Sequence, residues 1–158
     1  YFQIPMGVAT NFTIDDQDVV VPMAVEETSI IAAASKTAKW VKENGSIKTE
    51  MIGSDIIGQI QFASVRNYQN FSENVLKHKD YLIQLANKEV AFGLVNRGGG
   101  VTNITTREIA REDDKGSMAV VHVYMNPCDA MGANIINQVC EFLKQPLQEI
   151  TQELVTMC

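Results

Sequence analysis

The chain has 158 residues, 46% hydrophobic and 20% charged, which is enough to bury a core and too apolar for a disordered segment. A net charge of −6 and a pI near 4.9, with no basic run, argue against a nucleic-acid partner, which would gather Lys and Arg on one face. No apolar stretch approaches the roughly 20 residues of a membrane span, and no signal-peptide pattern opens the chain. Three cysteines, Cys128, Cys140 and Cys158, have no CxxC spacing and are odd in number, which suits a reducing compartment; no membrane partner and a cytoplasmic location are expected. Tyr1-Phe2-Gln3 stands where a methionine would begin, as a tag remnant or a fragment boundary.

Ile4 to Ile14 and Val19 to Ala24 are alternating, β-branched runs joined by Asp15-Asp16-Gln17-Asp18, the pattern of a hairpin. Thr28 to Glu43 turns helical, with Ile31, Ala34, Ala38 and Val41 on one face and Asn44-Gly45 as the stop. Ile56 to Phe62 alternates Gln59 and Gln61 with Ile60 and Phe62, a strand with one wet face. Asn67 to Asn70 reads as loop, then one long helix from Ser72, its cap, to about Leu94, ended by Arg97-Gly98-Gly99-Gly100. Val101 to Ile109 and Ser117 to Met125 predict a second hairpin across the charged turn Arg111 to Gly116. The last helix is expected from Asp129, with Ile135, Ile136, Val139, Phe142 and Leu143 inward and a break or kink at Pro146. The order strand, helix, strand, strand, helix predicts an α+β fold, an antiparallel sheet with helices on one face. Neither GxGxxG nor GxxxxGK[ST] occurs, so any nucleotide would be held by another geometry.

The candidate chemistry lies at corners between elements. In Asp129-Ala130-Met131-Gly132-Ala133-Asn134 an N-cap aspartate and a first-turn glycine describe either an ordinary capped helix or a helix start that holds a phosphate against bare backbone. Glu26-Glu27-Thr28-Ser29 joins a strand to an alanine-rich helix; its acids either favour the dipole or, buried beside apolar surface, become proton donors. Gly98-Gly99-Gly100 supplies a bend or admits a ligand, with Arg97 beside it as a phosphate partner. His78 and His122 have no neighbours at metal-ligand spacing, so no metal is expected, and the thiols lack any local helper for nucleophilic work.

Taken together these segments resemble class II 3-hydroxy-3-methylglutaryl-coenzyme A reductase, the bacterial and archaeal form, over nearly the whole chain. The residues that carry the likeness are Ile4-Pro5-Met6-Gly7 to Val21-Pro22-Met23-Ala24, Glu26-Glu27-Thr28-Ser29, Ala32 to Ser35, Ile57-Gly58-Gln59-Ile60-Gln61, Gly98 to Gly100 and Asp129 to Asn134. Thr28 departs from the family's usual proline. The resemblance implies NAD(P)H-dependent reduction of 3-hydroxy-3-methylglutaryl-CoA to mevalonate and CoA, or the reverse, by a homodimer whose subunits share the active site. Glu27 then looks like the catalytic proton donor and Ser29 like a substrate-binding residue. Asp129, Met131, Gly132 and Asn134 look like cofactor contacts. The family's lysine, in a His-Asn-Lys-Gly segment, its aspartate, in Gly-Asn-Asp, and its C-terminal histidine are not in this sequence, so a fragment inactive alone is expected. Residues 1–45 would open the large α/β substrate and dimerisation domain, 46–128 form an inserted small cofactor-binding domain, and 129–158 return to the large one with the cofactor-contacting helix. With no acid from Ala91 to Asn96 to grip a ribose hydroxyl, and Lys88 and Arg97 nearby, the lean is to NADPH over NADH. The competing expectation is a non-catalytic α+β nucleotide-binding or interaction module.

Overall fold

The computed structural model describes residue 1, residues 3–110 and residues 117–158; Phe2 of the opening tripeptide and the charged turn Arg111 to Gly116 lie outside the described residues. Two compact units result, Tyr1–Ile52 and Gly53–Cys158.

In the first unit β1 (Met6–Ile14) and β2 (Gln17–Ala24) form the expected antiparallel hairpin. Asp15 and Asp16 at its tip have φ of 51° and 66°, the left-handed pair a two-residue turn of matching twist requires. The carboxylate of Asp15 accepts from the amide of Thr49 at 2.9 Å and from its hydroxyl. Asp18 accepts from Thr13 at 2.6 Å and from Lys42 at 2.7 Å, so the turn is tied to the strand, the helix and the exit segment. Helix α1 (Ser29–Asn44) lies on one face, and Gly45 follows it as the stop. A Cβ on Gly7 would sit 2.8 Å from Cδ1 of Ile31, so the glycine is what lets helix and hairpin meet. The opposite face of the hairpin exposes Met6, Val8 and Val20.

In the second unit β3 (Ile56–Val65), β4 (Gly100–Ala110) and β5 (Ser117–Asn126) form an antiparallel sheet in the order β3-β5-β4. Ile60, Phe62, Ile104, Val121, Val123 and Met125 point to one face and are fully buried, while Gln59 and His122 pair on the other. The buried face carries α2 (Tyr68–Lys77), α3 (Lys79–Glu89) and α5 (Ala133–Thr151), which supply Phe71, Val75, Leu82, Ala86, Val139, Leu143 and Leu147. The α+β expectation is borne out, with the helices of this unit on one side of its sheet.

Several boundaries differ from expectation. The long helix is three: α2 and α3 part at His78 (φ −101°, ψ 9°), and a short α4 (Phe92–Val95) follows. The amides of Val90 and Ala91 both turn onto the carbonyl of Ala86, at 3.0 and 2.9 Å, which ends α3. Asn67, expected in a loop, is the N-cap of α2, its side chain accepting from Asn70 N–H at 2.9 Å. Ser72, expected as the cap, instead bonds Thr106 on β4 at 2.7 Å. Helix α5 starts at Ala133, not Asp129, and runs without a break through Pro146 to Thr151. Beyond it Val155 is buried and Met157 pairs with Gln61 on the edge of β3, a return that periodicity does not announce.

The hydrogen bonds from Thr49 to Asp15, and from Lys42 to Asp18, hold both carboxyls below their ordinary value of 3.8. A lowered folded-state pKa gives stability that is present above 3.8 and lost as pH falls through and below it. The thermal midpoint followed by circular dichroism is therefore expected to fall from pH 5 toward pH 2, and to fall less steeply in Asp15→Asn/Asp18→Asn; identical slopes would remove these two groups from the acid response.

Candidate functional site

Strand pairing brings two of the predicted corners together. Gly100 pairs with Asn126 and Val101 with Met125, so the turn entering β4 and the loop leaving β5 lie side by side. A Cβ on Gly99 would stand 2.5 Å from the carbonyl oxygen of Asn126 and 2.7 Å from Sγ of Cys128, whose thiol in turn donates to Arg97 O at 3.6 Å. The loop is bent by Cys128 at φ 56°, its amide held by Asn126 Oδ1 at 2.9 Å, and by Ala130 N–H donating to Pro127 O at 3.2 Å.

The glycine run is a bend. Arg97 and Gly99 amides donate to Leu94 O, and that of Gly98 to Val95 O, at 2.9 to 3.0 Å. Gly98 and Gly100 have φ of 88° and 110°, and a Cβ on Gly100 would meet Asn87 Oδ1 at 2.7 Å; only at Gly98 does one meet open space. Gly99 and Gly100 therefore admit other protein atoms against bare backbone.

Asp129 does not cap α5. It is exposed, three residues ahead of Gly132, which holds the N-cap position at φ 82°. The reason is tertiary: a Cβ at Gly132 would clash with Cδ1 of Ile56 and lie 2.8 Å from Cβ of Pro127, so the helix begins where the chain passes between strand β3 and the proline. The start of α5 has no side-chain cap and no acid in its first turn. Its first amides, beyond reach of intrahelical carbonyls, point outward with the positive end of the helix dipole. This donor set fits an anion such as a dinucleotide pyrophosphate. Met131 and Asn134 flank it and are exposed.

Beside the glycine turn, α3 and α4 border an open cavity of about 380 Å³ lined by Gln84, Asn87, Lys88, Phe92, Val95 and Asn96. Phe92 is exposed, leaving an aromatic face beside a cation and amides. Sequence pattern singled out Lys88 but missed Phe92 and Asn87, since the break between α3 and α4 is what opens the cavity.

In the first unit, Glu27 is exposed and Oε1 accepts from Ser29 N–H at 3.3 Å. Thr28 occupies the N-cap position of α1 without a side-chain cap bond, so Glu27 supplies that acceptor. Ser29 opens the helix and is exposed.

Burial pushes the Cys140 thiol up to about 11, while Cys128 and Cys158 are exposed. Burial, then the charge of Arg107, lowers the pKa of His122. Among the described residues no His, Cys, Asp and Glu cluster could hold a metal, and no helix is long and apolar enough to cross a membrane.

In this antiparallel α+β unit the loop leading to an uncapped helix start abuts a glycine turn through Asn126 and Cys128, an arrangement distinct from the Rossmann repeat. The chain belongs to the hydroxymethylglutaryl-coenzyme A reductase family, whose model matches residues 1–158. It is 43% identical over 150 residues to 3-hydroxy-3-methylglutaryl-coenzyme A reductase of Archaeoglobus fulgidus, covering 95% of this chain and 34% of that protein. A probable reductase of Borreliella burgdorferi is 30% identical over 145 residues, 89% of this chain and 31% of that protein. Among solved structures, class II 3-hydroxy-3-methylglutaryl-CoA reductase from Streptococcus pneumoniae, bound to NADPH in open conformations, matches 99% of this chain and 37% of its own, at 30% identity and a TM-score of 0.66. The chain spans about a third of the length of the relatives it matches.

Gly132→Ala forces a Cβ into left-handed backbone and against Ile56 and Pro127. It should destabilise the chain by about 1–3 kcal/mol, seen as a lower denaturant midpoint; an unchanged midpoint would mean that the helix start tolerates a side chain.

Proposed function

We propose that the complete protein is a cytoplasmic class II reductase that converts 3-hydroxy-3-methylglutaryl-CoA to mevalonate and CoA, or the reverse. The observation that carries this reading is the family match over all 158 residues, together with an uncapped α5 start whose leading loop abuts the glycine turn. Bound NADPH or NADH supplies the hydrides. Two would be consumed, one at the thioester carbonyl and one at the aldehyde left when the C–S bond breaks; as that carbonyl re-forms, the hemithioacetal hydroxyl gives up its proton and the departing CoA thiolate takes one up.

In this reading Glu27 donates a proton to the carbonyl oxygen as each hydride adds, and Ser29 hydrogen-bonds the carboxylate of the hydroxymethylglutaryl group. Asp129, Met131, Gly132 and Asn134 contact the cofactor around the start of α5, whose free amides receive phosphate oxygens. Residues 1–45 and 129–158 are assigned to a large substrate and dimerisation domain, and 46–128 to a small cofactor-binding one. Homodimer formation is supported by the apolar outer face of the first hairpin, where Met6 and Val20 are 73% and 66% exposed. The lysine, aspartate and histidine expected of the family are not among these 158 residues and would come from other sequence.

Glu27→Gln in the complete protein should lower kcat by roughly 10²-fold or more, the scale of general acid–base help, with the 158-residue piece alone showing no thioester-dependent cofactor oxidation. Wild-type kcat in the variant, or turnover by the piece near that of the whole enzyme, would reject the assignment.

Lys88 borders the cavity beside the glycine turn and suits a ribose 2′-phosphate, which favours NADPH. Lys88→Ala should raise the KM for NADPH several-fold and leave that for NADH unchanged; an equal effect on both, or a wild-type preference for NADH, would place the 2′-phosphate elsewhere.

A further inference from the structure

The side chain of Asn87, in the last turn of α3, closes on one backbone residue with both of its polar atoms. Oδ1 accepts from Val101 N–H at 2.7 Å and Nδ2 donates to Val101 O at 2.9 Å. Strand β4 is an edge strand of the sheet, and this amide meets its buried second residue as a rung of a neighbouring strand would, one donor and one acceptor at a single position. The approach is tight, since a Cβ on Gly100 would lie 2.7 Å from Asn87 Oδ1. Directly before lies the turn whose Gly99 abuts Asn126 and Cys128, and Asn126 in turn holds the bend at Cys128 that leads into Asp129. Two side-chain amides thus fix the two sides of this contact: Asn87 the glycine turn, Asn126 the loop before α5.

We infer that Asn87 is a positioning residue of the dinucleotide site, setting the glycine turn against the 127–132 loop through Val101. The inference rests on the reading of that region as the cofactor site. Both polar atoms of the side chain are committed to Val101, so its influence on a ligand passes through backbone placement. No other residue type matches the geometry: Asp keeps the acceptor but sets a carboxylate oxygen against the Val101 carbonyl, Leu has neither group, and Gln is a methylene too long for the space beside Gly100.

The test compares the complete reductase with Asn87→Ala, Asn87→Asp and, as a control for stability alone, Val75→Ala, a fully buried α2 core residue with no part in the site. The dinucleotide KM should rise roughly tenfold or more in Asn87→Ala and to a smaller extent in Asn87→Asp, the thioester KM staying within about twofold. Val75→Ala should lower the thermal midpoint without moving the dinucleotide KM. Amide hydrogen exchange, read without any ligand, should quicken at residues 98–101 in both Asn87 variants and not in the control. Wild-type turnover with an unchanged dinucleotide KM in Asn87→Ala, or exchange at 98–101 that does not change, overturns the positioning role. A wild-type enzyme with no dinucleotide-dependent turnover overturns the reductase reading instead, while the exchange measurement still decides whether Asn87 holds the turn.

Discussion

The close approach of α5 to β3 is the constraint from which the geometry of the second unit follows. At Gly58 a side chain would collide with Cys140 and Ile136 of the helix, and at Gly132 with Ile56 of the strand. Helix and strand are therefore packed with a missing Cβ at each end of their contact. The gain is burial of Ile136, Val139, Cys140, Leu143 and Leu147 against the sheet. Each such side chain contributes about 1.5–3 kcal/mol when removed from water. The cost is the freedom of two glycines, a smaller quantity of about 0.5–1 kcal/mol each. The same contact places the first turn of α5 by the strand rather than by a cap of its own.

A helix start without a cap is an expense that most helices avoid by supplying a Ser, Thr, Asp or Asn acceptor. Here the acid sits three residues too early, and the cap position is occupied by a left-handed glycine with no side chain to offer. Neighbouring structure is organised to keep that end open. Cys128 takes a left-handed conformation, Asn126 fixes it, and Pro127 closes the path along which a side chain at 132 would reach back. The amides left over are available to an acceptor that comes from outside the chain.

Elements whose cause is local were legible in the sequence. The first hairpin follows from alternation and a turn that tolerates positive φ, and the apolar face of α1 from its 3.6-residue spacing. The pairing of β4 with β5 follows from the same alternation. What was not legible has tertiary causes. Nothing at His78 breaks a helix by propensity; α2 and α3 part there without proline or glycine, and the separation shows only in the fold. Asn67 and Ser72 are both competent caps, and the choice between them depended on Thr106 being across from Ser72. Pro146 stays within α5 although its ring removes a backbone donor, on a helix already anchored by Leu143 and Leu147 on either side. Of the candidate site, the residues of the Asp129 to Asn134 run were visible as a pattern, but the roles of Asp129 and Gly132 within it were exchanged: the glycine, not the acid, defines the helix start.

Net charge and local field point in opposite directions in this chain, and the local one governs a phosphate. The excess of six negative charges disfavours a polyanion, which samples the whole surface. A dinucleotide meets only what lies within a Debye length, about 8 Å at physiological salt. Two of the acids, Asp16 and Asp18, are spent on Lys48 and Lys42 around the first hairpin. At the start of α5 the first turn carries no acid, and Asp129, standing outside the helix, leaves the amide cluster uncovered. An acidic protein can therefore bind an anionic cofactor without a basic patch, provided that the positive charge is the partial charge of backbone amides held in place by packing. Those amides neither titrate nor change their donor set with pH, whereas a lysine-built site would also recruit polyanions.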